Sequence, residues 1–384
     1  MEAYLDNSAT TRCSARVKDL MVRILTEDYG NPSSLHNKGK EAEDYIRTAR
    51  EQIARTLKID GKELVFTSGG TESNNMALIG GALANRRNGR HIITTGIEHA
   101  SVLAPLDYLK ELGYEITYLS VDENGQISLD ELREAVREDT VLVSIMMVNN
   151  EIGALEPVEA AAKLIKEKNP GTLFHVDAIQ AYGKFRIYPK KWGIDLMSGS
   201  GHKIHAPKGT GFLYIADKVK VKPVIYGGGQ QKGLRSGTEN VPGVAALGAA
   251  AEEAYEDFES KTERLYALRE RLIRGVTEIG GVTVNGRTDR DCAPHIVNIS
   301  IRDVRSEVML HSLEEYGIYV SAGSACSSNK PAPSRTLQEI GLPKSAVASA
   351  IRISFCAETT EEEVDYAVEK MKEIIPFRRK FVRK

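Results

Sequence analysis

Five short apolar runs, ELVFT at 63–67, HIITT at 91–95, EITYLSV at 115–121, VLVSIMMV at 141–148 and TLFHVD at 172–177, alternate with amphipathic stretches. Runs this short, separated by segments long enough for crossover helices, fit strands of a largely parallel sheet in an α/β fold. The segment from Pro157 is one such covering helix: proline suits a first helical turn, and Val158, Ala161, Ala162 and Ile165 then share a face. A chain of 384 residues is long for one hydrophobic core, so two domains sharing a cleft are expected. From about residue 255 the texture changes to a long charged helix, ESKTERLYALRERLIRGV, then shorter strands and a closing helix from Thr360. There Glu363 completes a capping box, and Val364, Ala367, Val368 and Met371 recur at helical spacing. A second, smaller domain is expected in this part.

Charge narrows the class of partner. Fifty-one Lys and Arg nearly balance 53 Asp and Glu, and a net charge of −2 offers no basic field for nucleic acid or anionic lipid. A small-molecule substrate is expected. The first residues, MEAYLDNSATT, lack a basic stretch followed by an apolar one, and no apolar run approaches the roughly 20 residues that span a bilayer. The expected location is the cytoplasm. The four cysteines, at 13, 292, 326 and 356, form no close pair, so neither a zinc site nor a disulfide framework is expected.

In open α/β sheets ligands sit beyond the carboxyl ends of the strands. ELVFT runs into SGGTESNN, a glycine turn with hydroxyls at a helix start, which aims backbone N–H groups and the Thr71 hydroxyl at an anion. HIITT leads to Glu98 and His99, VLVSIMMV to Asn149, Asn150 and Glu151, and TLFHVD ends on Asp177 with Gln180 following. Singly, a loop histidine or a helix-capping aspartate explains such residues. Delivered together to one edge, they suggest a site. A carboxylate ending an apolar strand suits a protonated ring nitrogen, where a charge-assisted hydrogen bond contributes roughly 1.5–3 kcal/mol. A pyridoxal 5′-phosphate (PLP) ring has that requirement.

Next comes IDLMSGSGHKIHAPKGTGFLYI, with Ser200, His202 and Lys203 in a glycine-bounded segment. Most lysines are solvated surface charges. A lysine among small residues beside a histidine is partly desolvated, which lowers its pKa and frees its amine for reaction with a carbonyl. Lys208 competes, but Pro-Lys-Gly reads as an exposed turn.

The motifs YLDNSATT, YGNPSSLH, FTSGGTESNN, EHASV, VNNEIG, HVDAIQ, SGHKIHAPKG, GGGQQKGLRSGTENV, SAGSACSS and IRISF follow one another along nearly the whole chain. In that order they resemble the NifS/IscS-type cysteine desulfurases, in the class V branch of fold-type I PLP enzymes. The resemblance implies a large PLP-binding domain over 15–254 with a mainly parallel seven-stranded sheet, and a smaller α+β domain from 1–14 and 255–384 carrying the Cys326 loop. Lys203 would be the lysine that bonds to the cofactor, Asp177 the partner of its ring nitrogen, and His99 the residue stacked on its ring. Gly70, Thr71, Ser200 and His202 would hold the phosphate, and Gln180 and Asn150 the ring-oxygen side. Thr238 would reach the phosphate in the neighbouring subunit, which implies a homodimer with shared sites. Arg352, with Asn150, would orient the carboxylate of L-cysteine, a bidentate task that suits guanidinium; a structural ion pair is the plain alternative for Arg352.

Cys326 in GSACSS matches the family's nucleophile. A lone cysteine is more often a small buried hydrophobe, but its Ala, Gly and Ser neighbours read as an exposed loop. An ordinary thiol, with a pKa of about 8.5, is only a few per cent thiolate at neutral pH, so nearby cations are expected to activate it. The implied reaction takes sulfur from L-cysteine as a persulfide on Cys326, leaves L-alanine, and passes the sulfur to an acceptor protein such as an iron–sulfur scaffold. Residues 356–358 depart from the family, reading Cys-Ala-Glu where many members carry Gly-Arg. The end, IIPFRRKFVRK, lacks the longer tail with which housekeeping members dock a scaffold, so the acceptor stays open. Competing readings are a selenocysteine or cysteine-sulfinate lyase, a class V aminotransferase, and a silent PLP-fold assembly partner.

Overall fold

A computed structural model of the chain describes residues 1–322 and 333–381. A two-residue strand, β1 (Ala3–Tyr4), precedes two helices, Ala15–Thr26 and Asn37–Leu57. The main sheet then comprises β2 (Leu64–Thr67), β3 (His91–Thr95), β4 (Glu115–Leu119), β5 (Thr140–Met146), β6 (Leu173–Asp177), β7 (Leu196–Ser200) and β8 (Gly211–Ile215). Each of the five apolar runs forms a strand, shortened where local bonding competes. Glu63, for instance, is taken by a capping box with Asp60: its carboxylate accepts the Asp60 N–H at 2.9 Å.

The seven strands lie in the order β2-β8-β7-β6-β5-β3-β4. β3 pairs in parallel with β4 and β5, β5 with β6, and β6 with β7, whereas β8 runs antiparallel to both β7 and β2. The sheet is therefore mostly parallel, as expected, with one reversed strand. This arrangement brings the carboxyl ends of β2 through β7 to a single edge. Helices cover both faces, so strands such as β5 and β6 are buried along their whole length. The helix from Val158 to Lys168 is one of these covers, with Val158, Ala161, Ala162 and Ile165 buried as their spacing predicts.

Helix Val241–Tyr255 packs closely on helix Asn37–Leu57: a Cβ added at Gly248 would lie 2.5 Å from the Ala49 Cα. Only glycine allows this approach.

The remainder forms β9 (Val282–Asn285), β10 (Ile296–Ile301), β11 (Ile318–Tyr319), β12 (Ser321–Ala322) and β13 (Ala350–Ser354). An antiparallel sheet has the order β12-β13-β10-β9, and β1 pairs in parallel with β11. Helices Phe258–Thr277 and Glu361–Arg379 share a core with it that is separate from those around the main sheet. Leu268, Ile299, Ile351 and Met371 meet there, together with Ala3 and Leu5 from the start of the chain. The closing helix begins with the expected reciprocal cap: the Thr360 hydroxyl accepts the Glu363 N–H at 3.1 Å, and the Glu363 carboxylate accepts the Thr360 N–H at 2.7 Å. Among the described residues no helix is long and apolar enough to cross a membrane, and no cluster of His, Cys, Asp and Glu could hold a metal ion.

Two stability predictions follow from this packing. Gly248→Leu should lower the unfolding midpoint by the equivalent of about 1–3 kcal/mol, because its side chain must enter the helix–helix contact; an unchanged midpoint in urea would refute the close approach. The second concerns Glu156, buried beyond β5, whose Oε2 accepts the Ile127 N–H at 3.1 Å while Oε1 has no partner among the described residues. Burial, and secondarily the Asp122 charge, push its carboxyl up to about 8 from an ordinary 4.5. The unfolded chain thus releases this proton first, and folding is opposed increasingly as pH rises between those values. Glu156→Gln should raise the thermal midpoint by a few degrees at pH 8 and by less at pH 5; equal gains at both pH values would contradict this ionisation.

Candidate active site

At the carboxyl edge of the main sheet lies a cavity of about 290 Å³. Its first wall is the glycine turn after β2. Gly69 has φ 146°, a conformation that favours glycine. A Cβ on Gly70 would sit 2.1 Å from Ile179 Cδ1, so the helix beginning at Gly70 lies directly against the chain leaving β6. The Ser68 N–H donates to the Glu72 carboxylate at 2.7 Å and Arg235 Nε to the same group at 2.9 Å, which closes the turn. Gly70 and Thr71 face the cavity from this side, and Ser200 and His202 from the end of β7. Burial first, then the charges of Lys203 and Lys208, push His202 down to about 4, so it is neutral near pH 7. Helix-start N–H groups and hydroxyls make this wall a donor set for an anion.

Asp177 ends β6 and is buried. Its Oδ1 accepts the Ile179 N–H at 3.0 Å and its Oδ2 accepts from Asn74 Nδ2 at 2.8 Å. Burial raises its pKa, while these donors and the neighbouring His99 and Lys203 oppose the rise. His99 caps helix Ala100–Glu111 and lines the cavity, its Nδ1 turned toward Ser101. Burial, and then Lys203, lower its pKa; Asp177 acts the other way.

The first residues of the chain cross the site. Lys203 Nζ donates to the carbonyl oxygens of Ser8 and, at 2.8 Å, Ala9. Gln180 Nε2 donates to the Ser8 carbonyl at 3.0 Å, and its Oε1 faces His295 Nε2 at 3.4 Å. Behind the lysine, Lys184 Nζ donates to the Lys203 carbonyl at 2.6 Å. Lys208 is exposed, in keeping with its turn setting. Arg352, on β13, reaches the cavity from the other sheet and is held by an ion pair. Nη2 is ion-paired with Asp6 at 2.8 Å and Nη1 donates to the Asn150 carbonyl at 2.8 Å, yet Nε has no partner among the described residues.

The cavity thus gathers Gly70, Thr71, His99, Asn150, Asp177, Gln180, Ser200, His202, Lys203 and Arg352. Thr238 does not join them. It is exposed and lines a different hollow with Tyr29, Asn31 and Pro32. Cys326 lies outside the described residues. Two other polar residues that follow strands prove to be internal braces: Glu98 Oε1 accepts the Met146 N–H at 2.7 Å, and Asn149 Oδ1 accepts the Glu151 and Ile152 N–H groups at 2.9 and 3.0 Å. The departure at 356–358 lies off the cavity wall; Cys356 is buried, and its N–H donates to the Thr359 hydroxyl at 3.1 Å. Sequence reasoning missed Asn74, Ser101, Asp6 and the Ser8 and Ala9 carbonyls. Asn74 and Ser101 stand in the motifs already singled out, but only the fold shows what they touch.

Comparison with known proteins agrees with this architecture. The model of the family described as aminotransferase class-V matches residues 3–367. A cysteine desulfurase IscS of Clostridium botulinum is 43% identical over 380 residues, covering 98% of this chain and 95% of its own length. Another, from Methanosarcina thermophila, is 44% identical over 372 residues, covering 97% and 91%. A solved NifS-like protein, 40% identical, superposes with a TM-score of 0.93 over 98% of this chain and all of its own. On this evidence the chain belongs to the aminotransferase class-V family.

Proposed function

We propose that this protein is a PLP-dependent cysteine desulfurase, converting L-cysteine to L-alanine and taking the sulfur as a persulfide on Cys326. The observation that carries the reading is one cavity in which the Lys203 amine, the buried Asp177 carboxylate and the His99 ring meet the glycine turn after β2, with Arg352 entering from the second sheet. The name borne by the Clostridium and Methanosarcina relatives supports the same reaction.

The residues fit PLP. Gly70, where a side chain would collide with Ile179, leaves the helix start open for a phosphate together with Thr71, Ser200 and His202. Asp177, a buried carboxylate held by two donors, suits a cationic ring nitrogen. His99 would cover one ring face, and Gln180 and Asn150 would face its oxygen. When bound, PLP supplies a carbonyl that captures amines and a ring that accepts the electron pair of an adjacent carbon.

The residues of the chain do the rest. Arg352, steadied by Asp6 and the Asn150 carbonyl, offers Nε to the substrate carboxylate. The Lys203 amine removes the proton from the substrate α-carbon and returns one to carbon as alanine forms. His99 faces the substrate sulfur and donates a hydrogen bond there. The Cys326 thiolate attacks that sulfur, so that the S–S bond forms as the C–S bond breaks, and an acceptor thiol later removes the outer sulfur. The balance is L-cysteine plus enzyme thiol to L-alanine plus enzyme persulfide.

The wider organisation is part of the proposal. The separate cores support a large domain over 15–254 and a small one from 1–14 and 255–384. Thr238, remote from its own cavity, supports a homodimer in which it serves the partner's phosphate, and the exposed Leu25, Tyr29, Leu35 and Tyr226 offer apolar surface for that contact. We place the enzyme in the cytoplasm, delivering sulfur to an acceptor protein of iron–sulfur assembly or thiolation.

Lys203→Ala should lower turnover at least about a hundredfold and remove the visible absorbance of bound PLP; retained turnover would end the assignment of Lys203. Cys326→Ser should keep PLP binding and lose sulfur transfer. With a reducing thiol and L-cysteine, the wild type should release alanine and sulfide in equal amounts and the serine variant neither. Equal release by both proteins would transfer the reading to a thiol-independent lyase.

A further inference from the structure

The bonds that hold His99 form a chain with only one consistent direction. Asn74, fully buried on the first turns of the helix from Gly70, spends both amide hydrogens: Nδ2 donates to Asp177 Oδ2 at 2.8 Å and to Ser101 Oγ at 2.9 Å. Its Oδ1 is buried without a partner among the described residues. Turning the amide over would place that oxygen against the Asp177 carboxylate, so the orientation is fixed by the carboxylate's need for a donor. Ser101 Oγ, which accepts from Asn74, has its own hydrogen to donate to His99 Nδ1, 2.8 Å away. The Ser101 backbone N–H, which can only donate, also points at Nδ1, at 3.1 Å. Nδ1 therefore receives two hydrogens and must be the unprotonated nitrogen.

We propose that Asn74 and Ser101 are positioning residues that hold His99 in the neutral Nε2–H form, so that the ring meets a ligand in the cavity as a hydrogen donor and not as a base. The inference rests on the reading of His99 as a group of the active site. It adds which proton state that group starts from, and which two residues impose it. An L-cysteine thiol cannot hand its proton to Nε2 while Nε2 carries one. The site instead receives L-cysteine as the thiolate, its proton already released to solvent, and Nε2–H donates to its sulfur.

Among the described residues, the charged groups acting on His99 are Asp177, at the end of β6, and Lys203, in the turn after β7. They oppose each other, and it is the donors at Nδ1 that distinguish the two ring nitrogens. Protonating Nδ1 would set N–H against the Ser101 N–H and require the hydroxyl to turn its hydrogen away and accept a second hydrogen beside that of Asn74. Ser101→Ala removes one of the two donors. Asn74→Ala frees the hydroxyl to accept. Each should ease formation of imidazolium.

Nitrogen-15 NMR of the histidine-labelled, PLP-loaded protein tests this directly. The expected result is a pyrrole-like Nε2 and a pyridine-like Nδ1 for His99, with its pKa rising by about half a unit to one unit in Ser101→Ala and in Asn74→Ala. Ser101→Thr, which retains both donors, should restore the wild-type value. A proton on Nδ1 in the wild type, or a pKa unmoved in both variants, would overturn the proposal; a purely structural role would change the melting midpoint and leave that pKa alone. If Asn74→Ala does not fold, the Ser101 pair decides. The resting protein is observed without substrate, so failure here leaves the desulfurase reading standing, and failure of that reading leaves the spectrum unchanged.

Discussion

A carboxylate taken out of water must be given donors, and Asp177 is the carboxylate around which this site is organised. Burial favours its neutral form, and the Ile179 N–H, the Asn74 amide and the adjacent cationic groups work against that preference. Meeting that need shapes the neighbourhood. The helix from Gly70 must come close enough for Asn74 to reach across, and a glycine at its start permits this because any side chain would meet Ile179. The amide that serves Asp177 then serves Ser101, and through it His99. One buried charge thus connects β6, the turn after β2 and the turn after β3.

The beginning of the chain ties that arrangement to the second core. Ala3 and Leu5 are packed among residues of the antiparallel sheet, whereas Ser8 and Ala9 lend carbonyls to Lys203, and Thr11 binds the His202 carbonyl with both its N–H, at 2.8 Å, and its hydroxyl, at 3.0 Å. Asp6, between these groups, pairs with Arg352 on β13. The lysine amine and the guanidinium are therefore held by neighbouring residues of one segment. A shift of the second core against the main sheet would be felt at both groups.

The fold was largely legible because its strands are short apolar runs delivered at helix-length intervals, and a parallel sheet buried on both faces needs no alternation to be recognised. The reversal of β8 was not, since GFLYI reads as an apolar strand in either direction. The strand-end rule found His99, Asn150 and Asp177, but it also drew in Glu98 and Asn149, which fold inward to satisfy backbone N–H groups. No spacing rule separates these cases, because the difference lies in side-chain direction. The contacts of Asn74 with Asp177 and of Arg352 with Asp6 span 103 and 346 positions of sequence, beyond the reach of any local pattern. The family resemblance named Arg352, but the ion pair that steadies it emerges only in the fold.

The account turns on sulfur passing from substrate to Cys326 while the substrate carbon skeleton leaves as alanine. Its most direct test is a single turnover of the PLP-loaded protein with one equivalent of L-cysteine, without reductant or air, followed by mass analysis of the peptide that contains residue 326. The account predicts that this peptide gains the mass of one sulfur atom, in proportion to the alanine formed. Alanine formed in full while the Cys326 peptide keeps its original mass would contradict it.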